Sequence, residues 1–128
     1  MKWFNILFLL ILLSSCSQKK YHPAEDALDA AREFNDGCLR GDFDKAKFYA
    51  IDNNETKNEL NKTEKEYNSK TSRQQKELKE ASIIIQSNKE ILQQHSQIIL
   101  SNSVDKKLDT LNLVLQNNLW LVDFQSSK

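Results

Sequence analysis

The 128-residue sequence contains few of the residues that break regular structure, with only two glycines and one proline. This scarcity excludes collagen-like chains and low-complexity chains rich in glycine and proline. Gly37 and Gly41 are the only glycines. A glycine-rich phosphate-binding loop and the nucleophile elbow of serine hydrolases both need more, so the sequence excludes these two sites.

The sequence also lacks an excess of charge of either sign, because 18 basic residues balance 18 acidic ones. Nucleic-acid-binding proteins normally carry a basic excess, and we therefore expect no nucleic-acid partner. The only histidines, His22 and His95, do not stand at zinc-ligand spacing from cysteines or acidic residues. We expect no metal and no cofactor.

No apolar run is long enough to cross a membrane as a helix. The longest run covers residues 3–13, follows Lys2 and is interrupted only by Asn5. A transmembrane helix needs about 20 apolar residues, whereas a run of this length is typical of the central region of a signal peptide. The run ends in Leu13-Ser14-Ser15-Cys16.

This ending resembles the lipobox of bacterial lipoproteins. The resemblance implies cleavage between Ser15 and Cys16 and attachment of lipid to the Cys16 thiol. Residues 1–15 are then the signal peptide, and residues 16–22 are the acylated cysteine and a tether. The family's two or three acyl chains imply stable anchoring in the bacterial envelope, since one chain alone binds weakly. In a Gram-negative cell, Ser17 after the cysteine resembles outer-membrane lipoproteins that face the periplasm. The alternative is an ordinary secretory signal in which Cys16 stands by chance.

With Cys16 carrying lipid, Cys38 is the only other cysteine. One cysteine cannot form an intramolecular disulfide, so the domain depends on its hydrophobic core. Cys38 lies on an apolar helical stripe, which favours a small buried hydrophobic side chain. A reactive or intermolecular thiol is the alternative.

The first part of the mature chain has the periodicity of helices. Apolar residues from 24 to 39 follow helical spacing and predict a helix that has Pro23 at its first position. Gly37 weakens this helix slightly, and Gly41 fits its end. Asp42 is positioned to cap a short second helix, whose apolar residues lie between positions 43 and 50.

Residues 52–80 are much more polar. Six acids and seven bases between positions 55 and 80 predict one long, exposed helix with a break near residues 68–72. Disorder in part of this segment is the alternative.

After Ala81 the pattern changes to that of strands. Four apolar segments lie near residues 83–85, 97–101, 111–116 and 119–124. Asn117-Asn118 predicts a two-residue turn, which pairs Leu115 with Trp120, Leu113 with Val122 and Leu111 with Phe124. These six side chains then share one face, and we expect Trp120 to be largely buried.

Helices followed by antiparallel strands predict an α+β fold. Phe34 and residues 41–50 and 119–124 are similar to the nuclear transport factor 2-like (cystatin-like) family, including small bacterial lipoproteins of unknown function. The resemblance covers about residues 24–124. It implies a cone in which N-terminal helices pack against a curved four-stranded sheet. We assign residues 23–125 to this domain and residues 126–128 to a tail.

We expect a non-catalytic binding or assembly module. The predicted cavity for a small apolar ligand is lined by Phe34, Leu115 and Trp120. The predicted interaction face for a protein partner contains Val114, Leu119 and Leu121, unless residues 52–80 or the tail cover it. The alternative is an enzyme acting on a small apolar substrate. The family resemblance includes ketosteroid isomerase, and a similar site here draws on Tyr49, Asp109 or Asp123.

Overall fold

The computed structural model describes residues 21–125 and has an α+β architecture, as the sequence predicts. Its elements are α1 (Ala27–Arg40), α2 (Phe43–Phe48), α3 (Asn54–Asn68), α4 (Ser72–Lys79), β1 (Ile83–Leu92), β2 (His95–Asn102), β3 (Asp109–Gln116) and β4 (Leu119–Val122). The strands form one antiparallel sheet in the order β1-β2-β3-β4. The predicted signal peptide, the acylated Cys16 and the tail lie outside the described residues.

Helix α1 begins later than the sequence predicts. Pro23 is not its first residue, because the Asp26 carboxylate accepts a hydrogen bond from the backbone N–H of Asp29 at 2.7 Å and caps the helix there. The helix ends as predicted, with Gly41 in the left-handed conformation at φ 71°. Asp42 then caps α2 by accepting from the Lys45 N–H, which confirms the second helix.

The polar segment forms two helices, which confirms the break near residues 68–72. Asn53 caps α3, and Thr71 forms a reciprocal capping box with Gln74 at the start of α4. Both helices pack mainly against the other helices, α3 against α2 and α4 against α1. The polar segment therefore does not cover the far face of the sheet.

The β3–β4 hairpin has the predicted turn and most of the predicted register. Asn117 and Asn118 have φ values of 52° and 61°, as a type I′ turn requires. Leu115 pairs with Trp120 and Leu113 pairs with Val122. The predicted Leu111–Phe124 pair is wrong, because β4 ends at Val122 and the chain leaves the ladder before Phe124.

Helix α1 packs across one face of the sheet and forms the core with it. The buried centre combines alanines and Phe34 of α1 with sheet residues from three strands: Ile98, Leu100, Leu111, Leu113 and Val122. Trp120 packs against this core but is only half-buried. The predicted packing of Trp120 against the core is therefore confirmed, and its position close to the exposed turn at the end of the hairpin leaves part of the side chain accessible.

The two edges of the sheet differ. The chain after α2 runs beside β4, where the Ile51 N–H donates to the Val122 carbonyl at 2.9 Å and the Val122 N–H donates to the Tyr49 carbonyl at 2.8 Å. Strand β1 forms the other edge. Within residues 21–125, no helix has both the length and the apolar character to span a membrane.

Candidate functional site

The candidate site is a cleft of about 560 Å³ between α1, α3 and the beginning of β3. Four parts of the chain line it. Helix α1 provides Phe34, Asn35 and Cys38. Helix α3 provides Glu55, Asn58, Glu59, Thr63 and Glu66. The end of β2, the β2–β3 loop and the beginning of β3 provide Asn102, Asp105, Asp109, Thr110 and Leu111, and Phe124 follows β4.

The apolar part of the cleft comes from Phe34, Leu111 and Phe124. Phe34 and Leu111 are buried core residues, and the rings of Phe34 and Phe124 lie 5.7 Å apart in a tilted arrangement. Phe124 makes this contact because the chain turns away from β3 after Asp123, whose N–H still donates to the Asn112 carbonyl at 2.8 Å. The cleft thus offers an aromatic and aliphatic surface that continues the core.

One wall of the cleft is a stripe of glutamates on α3. Glu55, Glu59 and Glu66 lie four and seven residues apart, which puts them on one face of the helix. The buried Thr56, Leu60 and Tyr67 are on the face that packs inward. Sequence reasoning missed this stripe because it treated the charges of the segment as one mixed, solvated surface, although the spacing of these three glutamates was the available signal.

The opposite wall depends on a tight loop after β2. The Asn102 side-chain oxygen accepts hydrogen bonds from the Val104 and Asp105 N–H groups, both at 3.0 Å. Its side-chain nitrogen donates to the Asp105 carboxylate at 3.0 Å. These contacts fold the loop over Asn102 and fix Asp105 at the cleft, close to the beginning of β3 at Asp109.

The cleft is strongly acidic. Five carboxylates line it (Glu55, Glu59, Glu66, Asp105 and Asp109), and none of its described lining residues is a lysine or arginine. Lys107 is the nearby base, and it lines an adjoining pocket together with Asp105 and Asp109. The carboxylates therefore create a negative field that Lys107 offsets from one side.

The pKa of Asp109 is raised, chiefly by desolvation and to a smaller extent by this field. Desolvation raises it above the ordinary 3.8, and the charges of Asp105 and Glu59 act in the same direction against the opposing effects of the Thr110 backbone and Lys107. Asp109 remains solvent-accessible as a residue, so the protein displaces only part of the water around its carboxyl. A cation bound here would favour the ionised form of Asp109 and lower its pKa.

Two further polar groups of α1 line the cleft. Burial raises the pKa of the Cys38 thiol to about 12, and the nearby Asp109 carboxylate adds to the shift. Such a thiol is a poor nucleophile, and Cys38 is partly buried and packs against the core. The side-chain nitrogen of Asn35 is buried without a hydrogen-bond partner in the described structure.

The structure brings together only one of the three residues predicted to line a cavity. Phe34 lines the cleft, but Leu115 and Trp120 do not. Leu115 lies six residues along β3 from Asp109, a distance of about 20 Å at the rise of a strand. The open space lies at the beginning of β3, whereas Leu115 and Trp120 pack together at the hairpin end.

The predicted interaction face lies on the side of the sheet away from α1. Val114 pairs with Leu121 on one side and with His95 on the other, and His95 pairs with Leu92. Directly paired residues share a face, so these four side chains form a row. Leu92 is 66% exposed and the nearby Leu119 is 36% exposed. No described helix packs closely over this row.

The residues considered for catalysis do not form one site. Asp109 lines the cleft, whereas Tyr49 lies on the other side of α1 and donates its hydroxyl hydrogen bond to the His22 carbonyl at 2.5 Å. Asp123 is not among the residues that line the cleft. Between Tyr21 and Gln125, no group of three or more histidine, cysteine or acidic side chains is arranged to hold a metal ion.

Comparison with known proteins finds no family model, no curated protein and no solved structure that matches this chain.

Proposed function

We propose that this protein is a lipid-anchored lipoprotein of the bacterial envelope whose domain binds a small cationic ligand in the acidic cleft without catalysing a reaction. The anchor is the lipid on Cys16, and the cell-envelope location follows from it. In a Gram-negative cell, Ser17 favours the outer membrane with the domain in the periplasm. The observation that carries the binding role is the combination of five carboxylates with an apolar floor in one cleft.

The chemistry of the cleft defines the ligand class. Phe34, Leu111 and Phe124 favour an apolar or aromatic group, because burying it removes apolar surface from water. The surrounding carboxylates favour an amine or another cation, and aromatic faces also attract cations. A purely apolar ligand would leave the negative charge of the acidic walls without a balancing cation inside the cleft, so the cleft fits an amphiphilic amine better.

Anchoring is tested by mass spectrometry of the membrane fraction. We expect a mature N-terminus at Cys16 that carries diacylglycerol, and we expect Cys16→Ala to release the protein from the membrane. A mature N-terminus elsewhere, or membrane association unchanged in Cys16→Ala, would contradict the anchor and support the ordinary secretory signal.

Ligand class is tested by calorimetry with two probes of similar shape, phenethylamine and phenylacetate. We expect the amine to bind and the acid not to bind. Glu59→Gln should weaken amine binding by about two- to fivefold, the equivalent of the 0.5–1 kcal/mol typical of an exposed charge pair. Glu77→Gln is the matched control, because Glu77 lies on α4 outside the cleft. Equal binding of both probes would contradict the cationic preference.

The enzymatic alternative rests on Asp109, since a carboxyl with a raised pKa in a cleft is a candidate acid or base. If the domain only binds its ligand, the amine probe stays chemically unchanged after prolonged incubation with the protein. Nuclear magnetic resonance spectra of the probe test this. Conversion of the probe by the wild-type protein and its loss in Asp109→Asn would favour the enzyme.

A further inference from the structure

The chain that leads from Cys16 into the domain is held on α2 by two hydrogen bonds. The Tyr21 hydroxyl donates to the Asp42 carboxylate, with oxygen–oxygen distances of 3.0 and 3.2 Å. The Tyr49 hydroxyl donates to the His22 carbonyl at 2.5 Å. Asp42 is also the cap of α2, so one carboxylate holds both the helix and the incoming chain.

Aromatic packing adds to these hydrogen bonds. The Tyr21 ring lies 5.6 Å from the Phe48 ring, and Phe48 contacts Tyr49 edge-to-face at 4.9 Å. Tyr49 is buried, whereas Phe48 is 41% exposed. We call Tyr21, Asp42, Phe48 and Tyr49 the aromatic clasp. It fixes the point at which the chain joins the domain.

The clasp and the acidic cleft lie on opposite sides of α1. Tyr21, His22 and Tyr49 line a second groove together with α1 residues Asp29, Glu33, Asp36 and Arg40. The α1 residues that line the acidic cleft are Phe34, Asn35 and Cys38. At 3.6 residues per turn, the two sets point about half a turn apart around the helix.

We propose that the aromatic clasp orients the domain on the bilayer, so that α2 faces the membrane and the acidic cleft opens away from it. The proposal rests on the lipid anchor at Cys16. Five residue steps separate Cys16 from Tyr21 and span at most about 18 Å. A domain of this size has a radius of gyration of about 13 Å and is on the order of 30 Å across. The tether is therefore shorter than the domain, and the side opposite the clasp cannot reach the membrane.

Without the clasp this restriction is lost. The first firmly folded element would then be α1, which begins at Ala27. Eleven residue steps from Cys16 to Ala27 span up to about 40 Å, which is enough for the domain to turn its cleft toward the lipid. The clasp thus keeps the cleft accessible from the aqueous compartment.

The test uses the full-length acylated protein in vesicles of phosphatidylethanolamine and phosphatidylglycerol that contain a headgroup nitroxide lipid. A fluorophore is attached to Lys47→Cys or Lys62→Cys in a Cys38→Ala background. Both residues are exposed lysines. Each substitution therefore removes one positive charge from the surface. Lys47 lies on α2 beside the clasp. Lys62 lies on the same face of α3 as Glu59 and Glu66 but does not line the cleft.

We expect the label at position 47 to be quenched several-fold more than the label at position 62. The pair Tyr21→Phe and Tyr49→Phe removes both hydroxyls of the clasp and keeps the rings, and it should shrink the difference. Tyr67→Phe is the matched control, because the buried Tyr67 hydroxyl has no partner in the described structure. It should leave the difference unchanged.

Equal quenching at the two positions in membrane-bound protein, or stronger quenching at position 62, would overturn the orientation and leave the anchor intact. Protein that does not associate with the vesicles and does not carry lipid on Cys16 would overturn both proposals together. A difference that survives removal of both hydroxyls would overturn the role of the two clasp hydrogen bonds in orienting the domain.

Discussion

Gly37 of α1 lies directly against the backbone of Ala46 in α2. A Cβ atom on Gly37 would lie 2.8 Å from the Ala46 nitrogen and 2.9 Å from the Asp42 carbonyl oxygen. Contacts with backbone atoms this close cannot be relieved by rotating a side chain. The glycine therefore sets the distance between α1 and α2, and with it the position of Asp42 in the aromatic clasp.

We expect Gly37→Ala to destabilise the domain. In an exposed helix this change normally stabilises by roughly 0.5–1 kcal/mol. Here the overlap with α2 should outweigh that gain and cost about 1–3 kcal/mol, the usual range for overpacking. Urea unfolding measures the change. Arg32→Ala on the exposed side of α1 is the control and should stay within about 0.5 kcal/mol. A more stable Gly37→Ala variant would show that α2 can move away.

The two faces of the β3–β4 hairpin should respond very differently to substitution. Leu113 is fully buried on the α1 side of the sheet, and Leu113→Ala should cost about 2–5 kcal/mol. Leu119 is exposed on the far side, and Leu119→Ser should change the free energy of unfolding by less than about 0.5 kcal/mol. Thermal unfolding compares the two.

The same far face is the proposed surface for a protein partner. If a partner docks over Val114, Leu119 and Leu121, crosslinking in cells should give an adduct with the wild type. This adduct should be absent in Leu119→Ser and Leu121→Ser. Large destabilisation of Leu119→Ser would instead show that this residue contributes to internal packing and would remove the argument for a partner there.

Local sequence rules predicted those parts of the fold that depend on local chemistry. Asn117-Asn118 determines the turn, and the turn determines the pairs Leu115–Trp120 and Leu113–Val122. The end of β4 was not predictable from local sequence, because it depends on a distant segment, residues 49–51, that runs beside Val122.

The cleft was harder to predict because it joins segments far apart in the chain. Phe34 was found from its place on an apolar helical stripe. The glutamates of α3 carried a readable spacing, but their relation to Asp105 and Asp109 depends on how α3 stands across from the sheet. Likewise, the sequence shows Gly37 only as a residue that weakens a helix. Its contact with α2 becomes visible once the position of α2 beside α1 is known.

Asp109→Asn should stabilise the folded domain at neutral pH. The raised pKa of Asp109 means that folding favours its neutral form. The stability contributed by the neutral Asp109 carboxyl is therefore fully present below the unfolded pKa near 3.8. It is lost as pH rises through the folded pKa and the carboxyl ionises. The advantage of Asp109→Asn over the wild type should be present at pH 7 and disappear on acidification. Urea unfolding from pH 3 to pH 7 measures it.

Asp36→Asn is the matched variant with the opposite sign. Partial burial acts to raise the pKa of Asp36, but hydrogen bonds from Lys45 and Arg40 outweigh this effect and hold the pKa below 3.8. Its contribution is present above the unfolded pKa and is lost as pH falls through the folded pKa. Asp36→Asn should therefore be less stable than the wild type at pH 7. If both variants shifted in the same direction, the environments of these two carboxyls would differ from those described.

Cys38 should resist alkylation in the folded domain. With the pKa near 12, about one molecule in ten thousand carries the thiolate at pH 8, and only the thiolate reacts readily. Iodoacetamide should modify Cys38 slowly in native protein and rapidly in urea, where burial is lost, and mass spectrometry of the Cys38 peptide gives both rates. Asp109→Asn should modestly accelerate the native reaction, because it removes a charge that disfavours the thiolate. Rapid modification of the native wild type would contradict the partly buried, inert thiol and would favour the reactive alternative.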